Sequence, residues 1–157
     1  MRDRRRGSAR GARALWLVLI LCACGPVRLV SAYDEIIDRG VSDLHTKVVS
    51  FVARMVTESG KPEGTYEPNA AFYDDAKAAI STLRLRARLQ DKNEDTVKLI
   101  DLLDSNMDLL RHLHEMGKEH GLSKALADPA LAAIETNFES ILKFEVAKKR
   151  GEPSPTN

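Results

Sequence analysis

Leu83-Arg84-Leu85-Arg86-Ala87-Arg88-Leu89 alternates apolar and cationic side chains along its whole length. Alternation with a period of two is a strand pattern, so this stretch decides whether a sheet enters the fold. Its residue types point the other way. Leu, Arg and Ala are strong helix formers, and nothing β-branched stands among them. The residues before it also keep a helical spacing, through Phe72, Ala76, Ala79, Ile80, Leu83 and Ala87. The stretch therefore reads as the end of a helix, and the chain as all-α.

The neighbouring segments agree. Ile37, Val41, Leu44, Val48, Phe51 and Met55 step alternately by four and three, which is one stripe of a helix, with Val52 and Val56 widening it. Gly40 is a local cost inside this helix, and Gly60, Pro62 and Gly64 close it as a loop. Pro68 suits the first turn of the helix that ends at Leu89. After a turn at Asp91-Lys92, Asn93 is placed to cap a third helix, predicted over 94–118. Its face carries Val97, Ile100, Leu103, Met107 and Leu110, with Leu99, Leu102, Leu109 and Leu113 beside them. Gly117 and Gly121 end it, and 122–126 reads as a separate helical turn. Asp128-Pro129 has the order of an N-cap followed by a first helical residue, and the fourth helix then carries Leu131, Ile134, Phe138, Ile141, Leu142 and Val146. Lys148, Lys149 and Arg150 complement its negative end. Four helices of about 20–27 residues with connections of about 3–12 residues predict an up-down-up-down four-helix bundle over 33–150. The tail at 151–157, with Pro153 and Pro155, is expected to be disordered.

The first 32 residues have a different character. Six Arg and one Asp give residues 1–23 a net charge of +5, while the remaining 134 residues carry 18 basic and 22 acidic side chains. An apolar run from Ala14 to Leu21 follows the Arg residues. At eight apolar residues, or ten with Cys22 and Ala23, it is too short for a permanent bilayer span of about 20, and it has the proportions of a secretory leader. Leu21, Ala23 and Cys24 then stand where a bacterial lipobox has its apolar residue, its small residue and its lipidated cysteine. The expectation is cleavage before Cys24, a diacylglyceryl group on that thiol, and a tether over 24–32. Gly25 supplies no inner-membrane retention signal, which favours the outer membrane. Val30-Ser31-Ala32 before Tyr33 is a rival cleavage site for ordinary signal peptidase, although Pro26 and Arg28 then sit in an overlong spacer.

Composition narrows the function classes. The acidic excess of the body argues against nucleic acid as a partner. Of two cysteines, Cys22 leaves with the leader and Cys24 is acylated, so no thiol remains for a disulfide, redox chemistry or nucleophilic attack. The histidines are His45, His112, His114 and His120. His112 and His114 point to different sides of a helix, whereas His112 with Met116, or Met116 with His120, has i,i+4 spacing. His112, His114 and Met116 are thus weak candidates for a copper or haem site, with His114 extending the core stripe and expected to be semi-buried. Asp101, Asp104 and Asp108 lack the spacing of a Ca²⁺ loop and read as a solvated face, opposite Arg84 and Arg88. The cluster Lys148-Lys149-Arg150 can touch anionic headgroups, but a helix end accounts for it equally. A phosphate loop, a nucleophile elbow, a zinc signature and a catalytic carboxylate pair are all missing, so no catalytic residue and no cofactor is assigned.

Several short stretches carry a resemblance. They are Ser31-Ala32-Tyr33-Asp34-Glu35, Asp38-Arg39-Gly40-Val41, Ala71-Phe72-Tyr73, Lys92-Asn93-Glu94, Leu102-Leu103-Asp104, Ile141-Leu142-Lys143-Phe144-Glu145 and Ala147-Lys148-Lys149-Arg150-Gly151. Together they resemble a family of small exported proteins from Gram-negative bacteria that has no established function. The resemblance implies an envelope location and a helical fold, and it transfers no site residues. The resulting expectation is a non-enzymatic envelope lipoprotein whose bundle has a binding or structural role, held to the membrane by its lipid and able to meet an envelope protein. The alternative is a periplasmic carrier of a ligand, metal or haem in the bundle interior.

Overall fold

The computed structural model describes residues 30–151. Four α-helices run in chain order: α1 Glu35–Thr57, α2 Ala70–Arg88, α3 Glu94–Met116 and α4 Lys124–Arg150. Successive helices pack against each other and α4 returns to α1, which closes an up-down-up-down four-helix bundle. Short 3-10 turns at Pro62–Gly64, Glu67–Asn69 and Lys118–His120 shape one end of the bundle. Among the described residues no helix is long and apolar enough to cross a membrane. Residues 1–29 and 152–157, including Cys24, the leader and most of the tail, lie outside the described residues.

The 83–89 stretch is helical through Arg88, with Leu89 as the C-cap. Leu83 and Ala87 face the core while Leu85 and Leu89 face solvent, a four-residue spacing rather than alternation. In α1 every residue of the expected stripe, Ile37, Val41, Leu44, Val48, Phe51 and Met55, is buried. Asp34 caps this helix by accepting from the amides of Ile36 at 2.9 Å and Ile37 at 3.3 Å. Gly40 faces Leu83 so closely that an added Cβ would stand 2.8 Å from the Leu83 Cδ2. Its cost in helix propensity is offset by the approach of α2.

Three expectations are corrected. The α3 stripe holds at Ile100, Leu103, Met107 and Leu110, but Thr96 rather than Val97 takes the fully buried position in the first turn, and Leu102 and Leu109, read as flanking the core, are about half exposed, at 49% and 48%. Asn93 holds the N-cap position of α3 without capping it, because its side chain is used elsewhere. Finally, α4 begins at Lys124 and runs through Pro129. Burial of Leu122 and Ala127 fixes the chain before Pro129, so the turn expected at 122–126 merges with the helix. The amide that Pro129 lacks would have met the carbonyl of Ala125, a residue on the exposed face of the helix.

At the end opposite the N-terminus, backbone meets backbone. The amide of Gly60 donates to the carbonyl of His120 at 2.9 Å, and Gly121 lies against Gly64. Gly121 has φ +63 and ψ −153, a region open essentially to glycine alone, and a Cβ there would overlap the Gly64 carbonyl. Gly121→Ala is expected to cost about 3 kcal/mol or more in urea unfolding, from strain plus that overlap. Gly60→Ala, also at positive φ but with open space around it, should cost only about 1–2 kcal/mol. Equal losses for the two variants would contradict the packing of these loops.

Candidate functional site

Three places concentrate chemistry: a buried polar node, a histidine among aromatic rings, and a groove between α1 and α2. The node forms where the N-terminal segment meets the α2–α3 turn and the end of α4. Lys148 and Glu145 sit one helical turn apart on α4, at 4% and 0% exposure. The ammonium of Lys148 gives all three of its protons to protein acceptors: Glu145 Oε1 at 2.5 Å, Asn93 Oδ1 at 2.7 Å and Thr96 Oγ1 at 2.7 Å. Glu145 also accepts from the Thr96 hydroxyl at 3.3 Å and, on its other oxygen, from the backbone amide of Asp34 at 3.2 Å. Asn93 accepts from the Ser31 hydroxyl at 2.7 Å and donates to the Ala87 carbonyl and the Gln90 side chain. This demand on Asn93 is why it does not cap α3.

The same node holds the entering chain. The Ser31 amide donates to the Lys92 carbonyl at 3.0 Å, and Lys92 adopts φ +62 to make the turn. Asp34 accepts from Arg86 at 2.7 Å and from Gln90, besides capping α1. Burial pushes the Asp34 carboxyl up, but the Arg86 guanidinium and the Ile36 and Ile37 amides outweigh it and hold the group below its ordinary value. Tyr33 donates to Asp38 at 2.7 Å, which with that carboxylate's charge pushes the phenol up to about 12, and its ring lies under Lys149.

At the far end of the bundle His114 is fully buried rather than semi-buried. Its Nε2 stands 2.9 Å from the Gly64 carbonyl, which can only accept, so that nitrogen carries the proton. With that proton on Nε2, Nδ1 is placed to accept from the Tyr73 hydroxyl, also at 2.9 Å. Burial raises the Tyr73 phenol above its ordinary value, which keeps it a donor. Phe51, Tyr66 and Tyr73 surround the imidazole. The three candidates His112, His114 and Met116 do not converge: His112 faces solvent and Met116 is 61% exposed. Among the described residues no group of three or more His, Cys, Asp or Glu side chains is arranged to hold a metal ion.

The acidic run of α3 meets α2 as expected from its charge. Arg84 bridges Asp101 and Asp104, each at 2.6 Å, and Lys77 pairs with Asp108 at 2.8 Å. Of the C-terminal basic cluster, Lys148 belongs to the interior, where neither the helix dipole nor a headgroup accounts for it. Sequence reasoning missed Ser31, Asp34, Thr96, Glu145 and Lys148 as a set. The available sign was their spacing, since Glu145 and Lys148 follow Phe138 and Ile141 on the buried stripe.

No protein-family model matches the chain, nor does any curated protein or solved structure. Its class accordingly rests on its own geometry: an all-α four-helix bundle clamped at one end by a saturated, buried ion pair.

Breaking this pair on one side leaves a buried charge unpaired. Lys148→Met is expected to cost about 3–5 kcal/mol in urea unfolding, and adding Glu145→Leu should return a substantial part of that loss. Strictly additive losses would show that the two charges are not coupled. Asp34 supplies a pH test. Because its folded value lies below 3.8, its contribution is complete above that value and disappears as the pH falls through the lower folded value. The stability difference between the native chain and Asp34→Asn should be flat near neutrality and shrink below about pH 5. A difference that grows toward acid would reverse the assigned sign.

Proposed function

We propose that the chain is a non-enzymatic lipoprotein of the bacterial cell envelope, carried on an acylated Cys24 and facing the periplasm from the outer membrane. The observation supporting this reading over its rival is the docking of Ser31. Cleavage after Ala32 would remove Ser31, whose amide and hydroxyl both bond to the α2–α3 turn, and would place a charged terminus next to Asp34. Cleavage before Cys24 leaves these bonds whole, with residues 25–30 between the lipidated cysteine and Ser31. A diacylglyceryl group has the two chains that stable attachment requires, where one chain holds only reversibly.

Support for a non-enzymatic role comes from the node itself. The polar atoms of Lys148, Glu145 and Asn93 are spent on one another and on the backbone, so they clamp the fold rather than face a cleft. Both nitrogens of His114, the fully buried histidine, are likewise engaged, which counts against that ring as a carrier's ligand. The bundle therefore serves as a binding or structural body that meets an envelope protein, with the resemblance to small exported proteins in agreement.

Intact-mass measurement and detergent partition of the protein from a Gram-negative host test the anchor. The native chain should begin at an acylated Cys24 and enter the detergent phase, and Cys24→Ser should leave an unlipidated precursor. Cys22→Ser should anchor almost as the native chain does. A soluble product starting at Tyr33, without added lipid mass, would reject the lipoprotein reading and leave the bundle standing.

A further inference from the structure

We propose that the groove between α1 and α2 binds a single-chain anionic amphiphile of the fatty-acid class. The inference goes beyond the anchoring reading and does not depend on it. The two helices are pinned at two levels. At one, Gly40 admits Leu83, and at the other the Phe51 and Phe72 rings stack at 3.6 Å with their planes 5° apart. Between these levels α2 turns Ile80 into the core and lines the groove with the short side chains of Ala76 and Ala79, beside Asp75. The result is an open groove of about 550 Å³ floored by Leu44, Phe51 and Phe72. That volume lies within the range of roughly 300–1,000 Å³ typical of small-molecule sites. From Leu44 to Arg54 the helical rise gives a length of about 15 Å, which suits an extended alkyl chain.

Charge selects the head group. Lys47 and Arg54 stand seven residues apart on α1 and both line the groove, joined there by the hydroxyls of Thr46 and Ser50. Asp75 on α2 is the one acidic lining residue, so cations prevail and the α1 rim is the positive side. Arg54 is held over the Phe51 ring at 5.6 Å and donates to Asn69 at 3.3 Å, which orients the guanidinium and leaves donors for a carboxylate. Both walls are helices, whose amides are already bonded internally. An extended peptide would find no main-chain partners in them, whereas an alkyl tail needs none. The apolar floor takes the tail, Arg54 takes the carboxylate, and Lys47, about two helical turns away on the same rim, adds positive potential along the groove.

The test uses the full chain carrying Cys24→Ser, purified without detergent, and titrated with dansylaminoundecanoic acid. Saturable fluorescence enhancement is expected, reversed by dodecanoate and not by dodecyltrimethylammonium. Lys47→Glu replaces an attracting charge by a repelling one at the rim and should weaken binding at least about tenfold. Ala79→Trp should fill the groove and abolish binding, with circular dichroism reporting whether the bundle persists. Since Lys47 is exposed, its variant remains informative if Ala79→Trp does not fold. No saturable binding, equal displacement by the cationic amphiphile, or unchanged affinity in Lys47→Glu would each overturn the proposal. The acylation state of Cys24 bears on none of these outcomes, so this proposal and the anchoring proposal fail separately.

Discussion

The ammonium of Lys148 must give its three protons to oxygen atoms, because an unpaired charge at that depth would cost several kcal/mol. Glu145, Asn93 and Thr96 meet that demand, and each must be held by something else to do so. Asn93 is fixed by the end of α2, Glu145 by the backbone of Asp34, and Thr96 by the first turn of α3. The start of α3 and the end of α4 thus meet at one cation, and the end of α2 and the entering segment that caps α1 are tied to it through Asn93 and Glu145. Replacing such a group by hydrocarbon is often neutral or favourable, so the node is better understood as fixing the register of the four helices than as adding stability.

The opposite end is organised by shape. Gly64 and Gly121 allow two loops to meet backbone to backbone, and the Gly64 carbonyl then receives His114 from the interior. His114 in turn receives Tyr73, which ties the α1–α2 loop to both α2 and α3. With the bundle closed by charge at one end and by glycine packing at the other, its middle tolerates imperfect filling. Ala76 and Ala79 lie in that middle, and the α1–α2 groove opens over them.

These two ends also give the molecule a direction. The N-terminal segment enters at the ion-pair end, so an acyl group on Cys24 would hold that end toward the membrane and turn the His114 end away from it. The groove runs along the side between the two. Its cationic rim on α1 would then be within reach of single-chain amphiphiles leaving a bilayer.

The sequence by itself determined the number of helices, their order and the α1 stripe in full, because helical period and turn residues are local properties. It also determined that 83–89 is helix, since Leu, Arg and Ala outweigh a short alternation when the preceding spacing is helical. It could not place Thr96, Glu145 and Lys148 inside, because polar residues are read as surface until partners on other helices are known. Leu102 and Leu109 were read as flanking the core for the same reason: a wide apolar face does not reveal which sector its neighbours cover. The start of α4 ahead of Pro129 and the release of Asn93 from capping were decided by burial of Leu122 and by the needs of Lys148. Only the tertiary structure could settle these points, because a buried charge is tolerable solely where several distant segments bring their oxygen atoms to it at once.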